Sequence, residues 1–384
     1  MEVRKLYYED SQLQSFTARV VSCEQSPKGW EITLDATAFY PEGGGQACDT
    51  GLLENVRVLE VRERGDRIVH LCDGPLTPGT TVAGWVDWDR RLDLAQQHTG
   101  EHILSGLIHQ RFGYHNVGFH VGKVAMEVDF DGPIEPQALE ELEAAANVAV
   151  WADVPLHCWT PDPEQLEKQT YRTKRPLPWP VRLVQIPGFD SCACCGVHVA
   201  HTGQVGLIKI LSCVKFHGGV RLELVCGKRA YDYLCAIFRE NRQVSQQLSA
   251  KPLQTAEAVE KLSSALAQEK LRANTLQDRL WDGIVREYAG LELAVRFEPE
   301  LNSAQVRALA DKLAQACGGT AVVFSGCDEA GYSLCVVSRT GLALEMGRRA
   351  AQALQGRGGG KPDAYQGFFR SEKAAILRFF QGNS

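Results

Sequence analysis

His98 and His102 bracket a short run, Gln97-His98-Thr99-Gly100-Glu101-His102-Ile103-Leu104. The apolar residues Ile103, Leu104, Leu107 and Ile108 predict a helix through it. Helical residues four apart share a face, with Cβ atoms roughly 5–6 Å apart, so two imidazoles can grip one metal ion. Zinc is the usual ion for such a pair. Far downstream, Cys192-Ala193-Cys194-Cys195-Gly196-Val197-His198 offers Cys194 and His198 at the same spacing. Each half alone reads as ordinary packing, a buried histidine pair or buried cysteines. Together His98, His102, Cys194 and His198 complete a nitrogen and sulfur ligand set for Zn2+. Four protein ligands normally close a structural site, whereas catalytic zinc keeps a position open. The sequence leaves that choice open.

Three further stretches could meet a ligand. Thr37-Ala38-Phe39-Tyr40-Pro41-Glu42-Gly43-Gly44-Gly45-Gln46 places three glycines before a glutamine, a loop able to pass close to a ligand and present backbone N–H groups. Residues 168–182 carry Arg172, Lys174 and Arg175 beside Tyr171 and Trp179, a mix that could engage phosphates and stack a base. Gly356-Arg357-Gly358-Gly359-Gly360-Lys361 is expected to be a loop whose Arg357 and Lys361 approach a phosphate backbone. It lacks the Gly-Lys-Ser/Thr ending of a Walker-type nucleotide loop.

With 384 residues, the chain is long enough for two or three domains. A hydrophobic fraction of 44% and a charged fraction of 23% belong to a globular protein. Thirteen cysteines, two of them adjacent, do not suit a disulfide framework and imply a reducing compartment. No signal core or membrane-length apolar stretch is present, so the expected location is the cytoplasm, away from membranes. A net charge of −6 argues against indiscriminate nucleic-acid binding, though not against a local basic face.

These residues need an α+β multidomain frame. Residues 1–88 read as short strands separated by turns, a small N-terminal β-barrel carrying the glycine loop. Residues 89–235 read as an α+β domain holding the zinc ligands, with a strand pair near Gly118–Asp129, an acidic helix from Pro136 to Val150, and strands Val181–Ile186, Gly203–Leu211 and Val220–Val225. Residues 236–285 read as a helical hairpin broken near Lys251-Pro252. Residues 286–384 alternate strand and helix as a C-terminal α/β domain.

The order of these motifs resembles a known family. Phe39-Tyr40 through Gly44-Gly45-Gln46 and Asp49, then His98 and His102, then Cys194 and His198 with Thr202-Gly203, resembles the editing domain of alanyl-tRNA synthetases and its free-standing AlaX relatives. Gly358-Gly359-Gly360-Lys361-Pro362-Asp363 with Gln366-Gly367 looks like the synthetases' C-terminal domain, shared with DHH-family phosphoesterases. The match covers nearly the whole chain, as in the long form of AlaX. Cys195 and Val197 depart from the more usual Cys-Gly-Gly-Thr-His.

The resemblance implies a trans-editing hydrolase that deacylates alanine tRNA mischarged with serine or glycine. Gln46, with the backbone of Gly44 and Gly45, is then the candidate for orienting the ester or water. Thr37 is the candidate for reading a serine hydroxyl. Arg172, Lys174, Arg175, Arg357 and Lys361 are candidate tRNA contacts. A homodimer through the helical hairpin or the C-terminal domain is expected. Two other classes compete. One is a non-catalytic tRNA-binding protein with structural zinc. The other is a metallopeptidase, because His98-Thr99-Gly100-Glu101-His102 spells the inverted zincin motif with Glu101 as general base. The editing reading gives Glu101 no part.

Overall fold

The computed structural model describes residues 3–173, 177 and 179–382. It is a mixed α+β chain with several sheets, and it divides into two compact units, Met1–Val244 and Ser245–Ser384.

After a two-residue strand Arg4–Lys5, paired in parallel with Ala36–Thr37, and a helical turn Leu6–Glu9, the first unit holds strands β1 (Ser15–Ser26), β2 (Gly29–Leu34), β3 (Gly51–Leu53), β4 (Val56–Arg64), β5 (Arg67–Cys72) and β6 (Thr81–Val86). They close on themselves in the order β1-β2-β5-β4-β3-β6. Alternation along β1 turns Phe16, Ala18 and Val20 inward and their neighbours out, the two-residue period of a half-buried strand. Ile32, Leu53, Val61 and Ile68 fill the interior with them.

Helix α1 (Trp88–Phe112) follows, its first turn capped by the Asp87 side chain and its end turned by Gly113 at φ +73°. It packs with α2 (Pro136–Trp151) on a four-stranded antiparallel sheet. That sheet is built from β7 (Asn116–Val121), β8 (Met126–Phe130), β12 (Ile208–Phe216) and β13 (Gly219–Cys226), in the order β12-β13-β8-β7. A smaller antiparallel sheet holds β9 (His157–Trp159), β10 (Leu183–Ile186) and β11 (Asp190–Ala193). The expected strand Gly203–Leu211 starts later, at Ile208, because Thr202–Val205 forms a 3-10 turn that Gly206 ends at φ +79°.

Gly100 and Gly106 sit inside α1, where each costs about 1 kcal/mol against alanine. Close packing explains them. A Cβ on Gly100 would lie 2.2 Å from Cys226 Sγ, and one on Gly106 would lie 2.3 Å from the Phe189 carbonyl and 2.7 Å from Asp190 Cβ. The glycines let β13 and β11 come against the helix that carries the histidines. Gln97 fastens the first contact by exchanging hydrogen bonds with the backbone of Cys226, at 2.8 and 2.9 Å.

Helices α3 (Gly227–Gln247) and α4 (Thr255–Arg286) are separated at Lys251-Pro252. The division between the two units falls at Val244 and Ser245, in the last turn of α3. In the second unit, β14 (Leu293–Phe297) and β15 (Thr320–Cys327) pair in parallel across α5 (Ser303–Cys317). The sheet continues with β16 (Gly331–Ser338), then α6 (Ala343–Ala353) leads to β17 (Arg357–Lys361) and β18 (Ala364–Phe369), giving the order β14-β15-β16-β18-β17.

The glycine run is therefore an edge strand rather than the expected loop, exposed at every residue from Arg357 to Lys361. Close approach again supplies the reason. A Cβ on Gly358 would lie 2.4 Å from the Gln366 carbonyl and 2.5 Å from the Tyr365 hydroxyl.

Candidate metal centre and its cavity

His98, His102, Cys194 and His198 converge, with one donor atom from each lying within 4.8 Å of the others. The imidazole centroids are 4.5 to 5.3 Å apart, and Cys194 Sγ lies 3.4 Å from His98 Nε2. All three histidines are buried. Two come from one face of α1 and two from the segment after β11.

The outer nitrogens decide what the inner ones can do. Gln46 Oε1 lies 2.8 Å from His98 Nδ1 and also accepts the Val197 N–H at 3.2 Å. An N–H cannot point at an amide nitrogen, so this atom is the oxygen and His98 Nδ1 must donate to it. Asp190 Oδ2 takes the Nδ1 proton of His102 at 3.0 Å. Thr99 Oγ1 lies 3.2 Å from His198 Nδ1. Each ring is thus held from behind with Nε2 turned inward, the arrangement ligating histidines show. His198 Nε2 is buried with no hydrogen-bond partner. An orphaned inward lone pair beside two more imidazoles and a thiol fits a divalent metal ion, and no hydrogen-bonding role in the protein explains it as well.

Burial and the neighbouring charges act on each member of the cluster. Burial disfavours the Cys194 thiolate, yet His98 and His102 hold its pKa well below the usual thiol value. Burial also works against a charged His102, and the Cys194 thiolate with the Asp190 hydrogen bond outweighs it, raising its pKa. Burial, then the charge of His98, pushes His198 down to about 3, leaving it neutral. Gly196 completes the packing, since a Cβ there would lie 2.0 Å from the His98 ring.

A cavity of about 440 Å³ opens beside this cluster. Gly44, Gly45, His98, Glu101, His102, Asn116, Phe119, Arg172 and Cys194 are among its walls. Gly44 and Gly45 form a two-residue turn with φ of +59° and +83°, closed by paired hydrogen bonds between Gly43 and Gln46. Phe119 abuts Gly45, where a Cβ would meet its ring at 2.8 Å, while Gly44 has nothing within 4 Å of its own Cβ position.

Gln46 and Thr37 are not among the cavity walls. Gln46 stands behind His98. Thr37 is buried in the barrel, where its hydroxyl donates to His70 Nε2 at 2.9 Å and accepts the Phe39 N–H at 3.1 Å. It could reach a substrate only by giving up His70. Arg172 does border the cavity, but it is no free cation of a basic loop. Its guanidinium grips both oxygens of Asp190, at 2.7 and 2.8 Å. Lys174 and Arg175 lie outside the described residues. Arg357 and Lys361 are exposed at the two ends of β17, in the second unit.

Sequence reasoning missed Asp190, Thr99, Asn116 and Phe119. Asp190, just upstream of the cysteine cluster, carried a usable signal: an acid that near to metal ligands is a standard partner for histidine.

Three family models match the chain. One described as tRNA synthetases class II (A) covers residues 4–90, and one described as the threonyl and alanyl tRNA synthetase second additional domain covers 181–222. A DHHA1 domain covers 290–381. The alanine–tRNA ligase of Thermofilum pendens is 33% identical over 95% of this chain and 42% of its own length. That of Ignicoccus hospitalis is 32% identical over 80% of this chain and 36% of its own. This chain therefore spans about two fifths of the ligases it matches. The alanyl-tRNA editing protein Aarsd1 of Danio rerio is 29% identical over 96% of both chains.

Proposed function

This chain belongs with the alanyl-tRNA editing proteins, its relatives over their full length, and we propose that it hydrolyses the aminoacyl ester of alanine tRNA mischarged with serine or glycine. The observation that carries this reading is the buried histidine and cysteine cluster set in the wall of a cavity that the Gly44–Gly45 turn also lines. The full-length match to proteins named for editing supports action in trans.

The resident ion in this reading is Zn2+, held by His98, His102, Cys194 and His198. When bound, it would supply a Lewis acid at the cavity wall. The chain's own residues do the rest. Gln46, Asp190 and Thr99 fix the three imidazoles. The Gly44–Gly45 turn brings bare backbone against the cavity to orient the ester of the terminal ribose, an already activated bond that chiefly needs positioning. Phe119 and the buried surroundings keep bulk water from the histidines.

Arg357 and Lys361 on β17 serve as tRNA contacts in this reading, supported by their exposure. Self-association is part of it too, supported by Leu262, Leu266, Leu276 and Leu280 standing exposed along α4. Among the described residues no helix is long and apolar enough to cross a membrane. All thirteen cysteines are free, which supports action in the cytoplasm.

The test is release of serine from Ser-charged alanine tRNA. Expected is turnover that a chelator abolishes and added zinc restores. Binding of the charged tRNA without turnover would favour a non-catalytic tRNA-binding protein instead.

A further inference from the structure

Glu101 lies in the cavity wall one residue before His102, only 4% exposed. Among the described residues no lysine or arginine forms an ion pair with it, although its charge reaches Arg172. Its Oε1 accepts from the Ser105 hydroxyl and from the Asn116 amide. A carboxylate only accepts here, so the Asn116 Nδ2 must face it and the Asn116 Oδ1 must point away. That Oδ1 has no hydrogen-bond partner, although Asn116 is 7% exposed and borders the same cavity. Glu101 Oε2 lies 3.8 Å from His102 Nε2, the nitrogen turned toward the metal cluster.

Glu101 and Asn116 thus both border the cavity next to the cluster, and the Asn116 carbonyl oxygen is buried there without a donor. Both are acceptors, and one is charged. Of the two, the Asn116 Oδ1 is left unpaired, and a buried acceptor without a donor is costly. A ligand that satisfies both must bring several N–H donors and a positive charge.

We propose that Glu101 and Asn116 form the subsite for the α-ammonium group of the aminoacyl ester. This rests on the deacylase reading above and deepens it by naming the part of the substrate the pair holds. Holding the ammonium fixes the ester relative to the Gly44–Gly45 turn, because one end of the aminoacyl group is anchored while the other meets the backbone. The subsite reads the group every aminoacyl ester shares, so it sets orientation and leaves side-chain choice to other walls.

The probe is 3′-deoxy-3′-(L-seryl)amino-adenosine, a non-hydrolysable amide, compared with its des-amino counterpart bearing a 3-hydroxypropionyl group. The full chain loaded with zinc is expected to bind the amine at least about tenfold more tightly, in keeping with a charge-assisted hydrogen bond. Glu101→Gln should bring the two affinities to near equality, and Asn116→Ala should narrow the gap. Zinc content and thermal midpoint are read on every variant. If Glu101→Gln fails to fold, Asn116→Ala carries the test. Equal binding of the two analogues by the native chain overturns the subsite while leaving the deacylase reading intact. So does a preference that survives in Glu101→Gln, or zinc lost from it. Binding of neither analogue, with no serine released from charged tRNA, sinks both.

Discussion

Gln46 accepts the Nδ1 proton of His98 across 2.8 Å, so the glycine-loop glutamine supports a ring of the candidate metal centre. Its removal acts on the ion before it acts on the substrate. Gln46→Ala should weaken zinc binding by about 10- to 100-fold, the usual effect of losing such a partner. Competition with a chromogenic chelator measures it. Gln46→Glu, which keeps an acceptor oxygen, should lose much less.

Arg172 reaches the same centre through Asp190 and His102. Arg172→Ala should lower zinc affinity and turnover by an order of magnitude or so. It should leave the salt dependence of tRNA binding unchanged, because the guanidinium is committed to a carboxylate. A phosphate contact would behave in the opposite way, cutting tRNA affinity and reducing the salt slope by about one.

Arg91 and Asp49 pair at the junction of the barrel and α1, 1% and 0% exposed, and Asp49 also accepts the Tyr40 N–H at 2.6 Å. Arg91 further donates to the carbonyls of Ala38 and Ser11, at 2.6 and 3.2 Å. Asp49→Ala leaves a buried guanidinium without its counter-charge, and about 3–5 kcal/mol of stability should go. The double replacement Asp49→Leu with Arg91→Leu should recover part of the loss in a urea melt, since neither buried charge then remains.

His70 sits in the barrel with Nδ1 donating to the Ile32 carbonyl at 3.1 Å, and burial lowers its pKa from 6.5 to about 4. The unfolded chain binds a proton below its ordinary value while the folded chain refuses it. This contribution is therefore complete above pH 6.5 and drains away as pH falls toward 4. At ~1.4 kcal/mol for each tenfold difference, ~3 kcal/mol should be lost. Denaturant melts across that window should slope less for His70→Gln than for the native chain.

The four clustered side chains could be picked out of the sequence as candidate ligands because four-residue spacing is a local property, fixed by the helix for His98 and His102 and repeated by Cys194 and His198. Their supports were harder to see. Thr99 is an ordinary residue until the chain folds, Asp190 is marked only by its nearness to the cysteines, and a free arginine looks the same in a sequence as one gripping a carboxylate. Thr37 illustrates the difficulty from the other side: its partner His70 is far along the chain, and a β-favouring threonine says nothing about where its hydroxyl will be spent. The mixed α+β character followed from the alternation of strand and helix periods. The glycines of β17 misled because glycine reads first as a loop former, and only the neighbouring Tyr365 and Gln366 reveal that they are there to let two strands touch.

That outermost strand also carries a hazard. A row of backbone groups with no neighbour on one side is a template to which a second molecule's strand can zip. Glycines give such an intruder no apolar side chains to grip, and Arg357 and Lys361 post like charges at both ends. Two copies meeting edge to edge would set cation near cation, so the border repels its own kind while remaining open to a polyanion.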